Sequence, residues 1–262
     1  KFKDINIKKV IHMNNSLHKN LSKKNNIFFD FKEESKDEQI KKIVKSDYIL
    51  FHCRDQVFKK AISDTDYSYH SYRDEKIDDY EAAISSFENR QFVRFGSKGE
   101  KKCQSSNIFD YTFSNYRNEK NDLILMKNCK FYVGTGSGPD ILAMNFQKPI
   151  VYVNWVHLPN LFTFKENTIV IFKKIYDKKN KKFISYKDLL NLNHKYNEEK
   201  TPVGLYTKTN QYLKNDLVVY DNTKDEIFHA IKEMNKLVKR NLKFDDKLEK
   251  LFSDNYENEI KL

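Results

Sequence analysis

From Lys130 the chain runs Lys130-Phe131-Tyr132-Val133, then Gly134-Thr135-Gly136-Ser137-Gly138-Pro139, then a helix-compatible stretch from about Asp140 to Phe146. It continues through Lys148-Pro149 into Ile150-Val151-Tyr152-Val153-Asn154. Short continuous apolar runs without polar alternation suit strands buried on both faces. Two such strands joined by a helix form a parallel pair, and parallel pairs are covered by helices on both sides. The same rhythm recurs upstream. Tyr48-Ile49-Leu50-Phe51 is a second buried run, Ile77, Tyr80, Ala83, Ile84 and Phe87 recur at helical spacing, and Gln91 to Phe95 is a strand closed by Gly96. These units predict an α/β fold, a doubly wound Rossmann-like parallel sheet.

The remaining elements are weaker. A short helix is expected around the segment DEQIKKIVK, a strand at Ile108 to Tyr111, a helix near Asp122 to Asn128 and a strand at Thr168 to Phe172. A polar loop is expected over 63–75, a helix near Tyr186 to Leu192 and a strand at Val218-Val219, with DKKNKK at 177–182 as a basic turn. Thr223 and Glu226 form a capping box that opens an amphipathic helix to about Lys239. Residues 1–46 are read as a partial amino-terminal segment or linker, 47–240 as the Rossmann-like domain, and 241–262 as a helical tail.

Composition narrows the partners. The 39% apolar and 14% aromatic content over 262 residues supplies a sizeable core and argues against wholesale disorder. The net charge of +11 comes from lysines spread along the chain with no recognition module, so no nucleic-acid partner is expected. Cys53, Cys103 and Cys129 lack CxxC spacing and read as buried reduced thiols. No apolar run approaches the ~18 residues of a spanning helix, and the first residues carry no signal-peptide core. The expected location is the cytoplasm, at most peripheral to the inner membrane.

Glycine placement points to the chemistry. Five of the six glycines lie between 96 and 138, three of them within 134–138. A glycine turn that leaves a buried strand and opens a helix lets backbone approach a diphosphate, while amide groups and the helix dipole attract its charge. Thr135 and Ser137 add hydroxyls. A nicotinamide dinucleotide is not expected, because Pro139 stands where the third glycine of GxGxxG belongs and Asn154 where an acidic ribose ligand would be. No GxxxxGK[ST] loop occurs.

The carboxyl ends of the other strands supply further candidates. His52, Arg54 and Asp55 follow the first run; Arg54 suits a forked pair with phosphate, and His52 either a base or a loop-orienting side chain. Arg94, Gly96, Ser97 and Lys98 end the second strand, and Asp110-Tyr111 the third. Arg73 lies within reach of this rim, with Asp74 as a simpler helix cap. Asn154-Trp155 ends the strand after the glycine turn, so Trp155 is either a ring platform or a buried anchor. Asp64-Thr65-Asp66 has the DxD form of metal-dependent sugar transferases but follows no apolar strand. The seven histidines are scattered, so no metal is expected.

In order, FHCRDQ, YHSYRD, FVRFGS, IFDYTFS, FYVGTGSGPDILAMNFQKPIVYVNW and VVYDNTKDEIFHAIKEM resemble a little-characterised family of bacterial glycosyltransferases tied to surface-polysaccharide synthesis. The resemblance spans about residues 47–238. It implies the carboxyl-terminal, donor-binding half of a GT-B transferase, with residues 1–46 too short for the family's amino-terminal domain. The HxR element is similar to that of fucosyltransferases, in which the arginine holds the donor diphosphate; Arg54 matches it. Arg73, Gly96, Asp110, Gly136, Ser137, Gly138 and Asn154 fall on the other shared motifs, with Cys53 and Gly136 as local variants.

By that resemblance the activity is sugar transfer from a nucleoside diphosphate sugar, without a cofactor, to a surface polysaccharide or lipid-linked glycan acceptor. Joined with the strand-edge and glycine-turn readings above, which supply His52, Gly134, Thr135, Ser97, Tyr111 and Trp155, the resemblance makes Arg54 and His52 the candidate catalytic residues. Gly134, Thr135, Gly136, Ser137, Gly138, Gly96 and Ser97 would line the diphosphate, and Arg73, Asp110, Tyr111, Asn154 and Trp155 the rest of the substrates. The alternatives are a non-catalytic sugar-nucleotide or glycan-binding module and a pyruvyl- or phosphoryl-type transferase acting on such a glycan.

Overall fold

The structure, a computed structural model, describes residues 5–6, 30–31, 38–44, 47–62, 64, 66–156, 167–185, 188 and 208–240. After a two-residue pairing of β1 (Ile5–Asn6) with β2 (Asp30–Phe31) and the short α1 (Glu38–Ile43), the main sheet begins. It consists of β3 (Tyr48–Phe51), β4 (Gln91–Arg94), β5 (Ile108–Asp110), β6 (Tyr132–Gly134), β7 (Ile150–Trp155) and β8 (Thr168–Phe172). Every pairing is parallel and the spatial order is β5-β4-β3-β6-β7-β8. Counted from β3, that is the 3-2-1-4-5-6 order of a Rossmann-like sheet, whose direction of winding reverses between β3 and β6.

The apolar runs bury both faces by alternation. Tyr48, Leu50, Tyr132, Ile150 and Tyr152 point into one layer with Ile40 and Ile43 of α1, Ile124 and Leu125 of α4 (Glu119–Asn128), and Ala143 of α5 (Pro139–Asn145). Ile49, Phe51, Phe92, Val133, Val151 and Val153 point into the other, against α3 (Ile77–Ser85) and α7 (Lys224–Arg240). Strands β3 and β7 are buried at every position, as unbroken apolar runs require. The expected capping box opens α7, with Glu226 Oε2 accepting from Thr223 N at 2.9 Å.

Several expectations need correction. The stretch expected as a polar loop over 63–75 is preceded by α2 (Val57–Ile62), which starts where Asp55 Oδ1 accepts from Val57 N at 3.0 Å, and carries a 3-10 helix at Ser68–Arg73. Thr209, at the start of α6 (Thr209–Lys214), holds that helix by accepting from Tyr72 N at 3.1 Å. Strand β11 (Leu217–Tyr220) does not join the main sheet. It pairs antiparallel with β9 (Lys174–Asp177), which forms a hairpin with β10 (Lys182–Phe183) across the basic turn. Strand β6 begins two residues later than Lys130 and includes Gly134. The helix expected near 186–192, but for residue 188, and the tail at 241–262 lie outside the described residues. Among the described residues no helix is long and apolar enough to cross a membrane.

Candidate functional site

The reversal of strand order makes the site. Strands β3 and β6 are neighbours, with Phe51 paired to Val133, but the chain leaves their carboxyl ends toward opposite sides of the sheet. Ligands of open α/β sheets bind in the crevice so created. His52 to Asp55 emerge from β3 on one side and the 134–138 turn from β6 on the other, so the two strongest sequence candidates meet at the switch point.

Across this crevice run Arg54 and Arg73. The Arg54 side chain is about one-tenth exposed; its Nε lies 3.2 Å from Asp74 Oδ1, while Gln56 donates to the second oxygen of Asp74 at 2.6 Å. The ion pair therefore forms with Asp74 rather than with a neighbouring Asp47 or Asp55. Arg73, half-buried at the end of the 3-10 helix, donates from Nη2 to the carbonyl of Gly136 and so ties the β3 side of the crevice to the glycine turn. Among the described residues no carboxylate lies within ion-pairing distance of Arg73. Burial, and then the charge of Arg54, lower its pKa. Two guanidinium groups thus share the rim with one directly paired carboxylate, Asp74, while Asp140 acts on Arg73 from farther away, an arrangement that can attract a multiply charged anion.

Beneath them lies Glu75, buried, its Oε2 accepting from Arg54 N at 3.1 Å and from the Tyr80 hydroxyl at 2.9 Å, its Oε1 from the Thr135 hydroxyl. Burial raises its pKa to about 7, against the opposing pull of Lys173 and these hydrogen bonds. Lys173, itself buried, donates to the Asp74 carbonyl at 2.9 Å and to Asp221 at 2.7 Å.

The glycine turn is more self-contained than its sequence suggests. Asp140, 1% exposed in the first turn of α5, accepts from Ser137 N at 2.8 Å and from the Tyr132 hydroxyl at 2.9 Å. Burial raises its pKa to about 7, while its bonds to Tyr132 and to the amides of Ser137 and Gly136 pull the other way. Amides expected to face phosphate are therefore turned toward an internal carboxylate. Gly136 adopts φ +74°, and a Cβ there would lie 3.0 Å from the Trp155 ring. A Cβ on Gly134 would lie 2.4 Å from Tyr132 and 2.5 Å from Asp140, whereas one on Gly138 meets nothing within 4 Å. Of the three glycines, only Gly138 borders open space. The Ser137 hydroxyl is buried without a hydrogen-bond partner, and Thr135 is committed to Glu75.

His52 accompanies Arg54 at the end of β3, half-buried, with Nδ1 2.8 Å from the Phe95 carbonyl. Since a carbonyl only accepts, Nδ1 carries the proton and Nε2 keeps its lone pair. Burial lowers its pKa to about 4, so the ring is neutral near pH 7. A Cβ on Gly96 would lie 3.3 Å from His52 Nδ1, which makes Gly96 the space allowed for that ring; Ser97 follows in the loop.

Other candidates serve the frame. Asp110 accepts from Arg94 Nη1 at 3.2 Å and from Cys103 N at 2.8 Å, and Arg94 is 2% exposed. The Tyr111 hydroxyl donates to Asp122 at 2.7 Å inside the core. Asn154 sits at φ +54° on the β7 bulge and exchanges two 2.6 Å bonds with Asn222, fastening the end of β7 to the segment before α7. Trp155 is 6% exposed and packs on Tyr152 and Gly136, which makes it an anchor under the turn rather than an open platform. Asp66, just before the 3-10 helix, accepts from Ser68 N at 2.8 Å and from the Ser68 hydroxyl at 2.9 Å. Among the described residues there is no group of three His, Cys, Asp or Glu arranged to hold a metal ion.

Glu75, Asp140 and Lys173 were missed as site residues. Asp140 left one trace in the sequence, an acid in the first turn of a helix, but its partners, like those of Glu75 and Lys173, are set by the tertiary fold. No family model, curated protein or solved structure matches the chain.

Proposed function

We propose that this chain binds the diphosphate of a nucleoside diphosphate sugar at the switch point and transfers the sugar to a hydroxyl of a surface polysaccharide or lipid-linked glycan. The observation that carries the reading is Arg73: a half-buried guanidinium held on the Gly136 carbonyl beside Arg54, in no ion pair among the described residues, with Asp140 and Asp74 acting on it only from beyond ion-pairing distance. A half-buried cation next to a second cation, without a direct carboxylate partner, at the ligand-binding edge of a Rossmann-like sheet supports an anionic ligand. The ordered resemblance to polysaccharide glycosyltransferases supports the same reading and is the reason for taking the diphosphate to be that of a sugar donor.

In this reading the bond between the sugar C1 and the β-phosphate oxygen breaks, and its electron pair leaves with the diphosphate. Arg54 and Arg73 stabilise that developing charge, each through charge-assisted hydrogen bonds worth about 1.5 to 3 kcal/mol. A C1–O bond forms to the acceptor hydroxyl, whose proton passes to the Nε2 lone pair of His52. A bound diphosphate next to the ring raises its basicity from the low value that burial imposes. Because Ser137 N is held by Asp140, side chains rather than the glycine amides supply the principal phosphate contacts.

The test is a thermal-shift screen with UDP-, GDP- and ADP-sugars and pyrophosphate, followed by a transfer assay with the best donor. A ligand at about 100 times its Kd stabilises the fold by about 2.7 kcal/mol, which raises Tm by roughly 5 to 10 °C for a domain of this size. NAD(H) is expected to give no shift. Absence of a shift with every diphosphate contradicts the proposal.

A further inference from the structure

The basic turn DKKNKK has no part in the switch-point site, and the structure places it beside an unusual surface. The small sheet β10-β9-β11 packs one face inward, where Ile175, Leu217, Val219 and Ile184 meet Tyr72 and Tyr212. Its other face should be polar, since an antiparallel sheet with one wet side alternates apolar with polar residues. Instead, Tyr176 stands opposite Phe183 and Val218, with Tyr220 one pair further along. The three rings touch edge to face, with centroids 5.2, 5.9 and 6.4 Å apart. Phe183 is 57% exposed and Tyr220 47%. Both faces of this sheet are therefore apolar, and one is open to solvent.

At the end of that face the hairpin turn projects Lys178, Lys179 and Lys181, all exposed, whereas Lys182 stands opposite Asp177 and, alternating with Phe183, points to the other face. The single acid of the turn, Asp177, is occupied by Asn180, whose amide and side chain donate to it at 2.9 and 2.7 Å. Lys174, on the aromatic face, is paired with Glu226 at 2.5 Å and adds no free charge. The surface is thus a cluster of three rings edged by three ammonium groups on flexible stems.

We infer that this face docks on an anionic lipid bilayer. The interface of a bilayer offers the two environments in the order they occur here. Aromatic rings settle at the boundary between acyl chains and head groups, and lysines reach past them to the phosphates. An acidic protein surface would satisfy the lysines but leave the exposed rings without an apolar medium. Lysines near an anionic leaflet are drawn to it, and each strengthens binding about 5-fold at moderate salt.

The experiment is co-sedimentation of the full chain with vesicles of phosphatidylcholine alone and of equimolar phosphatidylcholine and phosphatidylglycerol. The wild type is expected to pellet with the mixed vesicles, not with the neutral ones, and to be released by high salt. Replacing Lys178, Lys179 and Lys181 together by Gln should reduce partitioning by roughly 100-fold. The Phe183→Ser/Tyr220→Ser double variant, with every lysine retained, should reduce it by about 10-fold or more. These side chains are exposed, and circular dichroism confirms that each variant is folded. Wild type remaining in the supernatant overturns the inference, as does a double variant that pellets as well as wild type. So does gel filtration showing a dimer that Phe183→Ser dissociates, because the face would then belong to a second copy of the chain.

Discussion

Replacing Asp140 by asparagine should flatten the dependence of stability on pH. In the unfolded chain this carboxyl titrates near 3.8, and in the fold burial raises it to about 7. A carboxyl whose folded pKa is raised contributes stability in full below 3.8 and loses it as pH climbs through 7, because the unfolded chain releases the proton first. At about 1.4 kcal/mol per pH unit the full difference is about 4 kcal/mol, of which about 2.5 kcal/mol falls between pH 5 and pH 8. Asparagine is nearly isosteric: its oxygen accepts from Ser137 N, and its amide donates to the Tyr132 oxygen, replacing the two bonds now made by the carboxylate. Urea unfolding followed by circular dichroism at pH 5 and pH 8 measures the effect. The acids whose pKa is lowered, Asp66, Asp177 and Glu226, vary in stability mainly below this window. Wild type should lose more stability than Asp140→Asn on going to pH 8, by about 2.5 kcal/mol. An equal loss in both proteins would refute the reasoning, since Asp140 would then titrate alike in the folded and unfolded chains.

Glu75→Gln should shrink the same pH dependence in the same direction, its carboxyl moving from 4.5 to about 7, and paired unfolding curves at pH 5 and pH 8 check it. Gly134→Ala should destabilise by about 1 to 3 kcal/mol, because the new Cβ meets Tyr132 and Asp140, which are pinned to each other; chemical denaturation reads this directly. Asn154→Ala should cost more than Asn154→Gly by about 1 kcal/mol, since both lose the bond from Asn222 but only alanine resists φ +54°; their difference in Tm measures that strain.

The sheet was readable in the sequence because its signal is local. Strands β3 and β8 have the expected bounds because each is an unbroken apolar run, fully buried in β3 and partly buried at the sheet edge in β8, and Thr223 with Glu226 marks the start of α7 unaided. What could not be read depends on partners far along the chain. The 3-10 helix that delivers Arg73 is held by Thr209, 137 residues from Tyr72, and nothing between 63 and 75 announces it. Strand β11 looks like one more strand of the main sheet until its register with β9 is known. Within the site, residue types were identified more securely than their tasks. The glycines at 134 and 136 answer to Tyr132, Asp140 and Trp155, and Arg54 faces a carboxylate 20 residues away instead of its neighbour.

Whether Arg73 is an unpaired charge kept for a ligand is decided by titration calorimetry with pyrophosphate on wild type, Arg73→Ala and Arg90→Ala. Arg90 lies just before β4 at the opposite end of the sheet, so its variant controls for the loss of one positive charge. Arg73→Ala should bind about 10- to 150-fold more weakly than wild type, while Arg90→Ala binds like it. Without ligand, Arg73→Ala should melt no lower than wild type, because it removes a half-buried cation beside another. Equal affinity in wild type and Arg73→Ala, or a ligand-free Arg73→Ala protein that melts well below wild type, would contradict the assignment and leave Arg73 as a structural tie to Gly136.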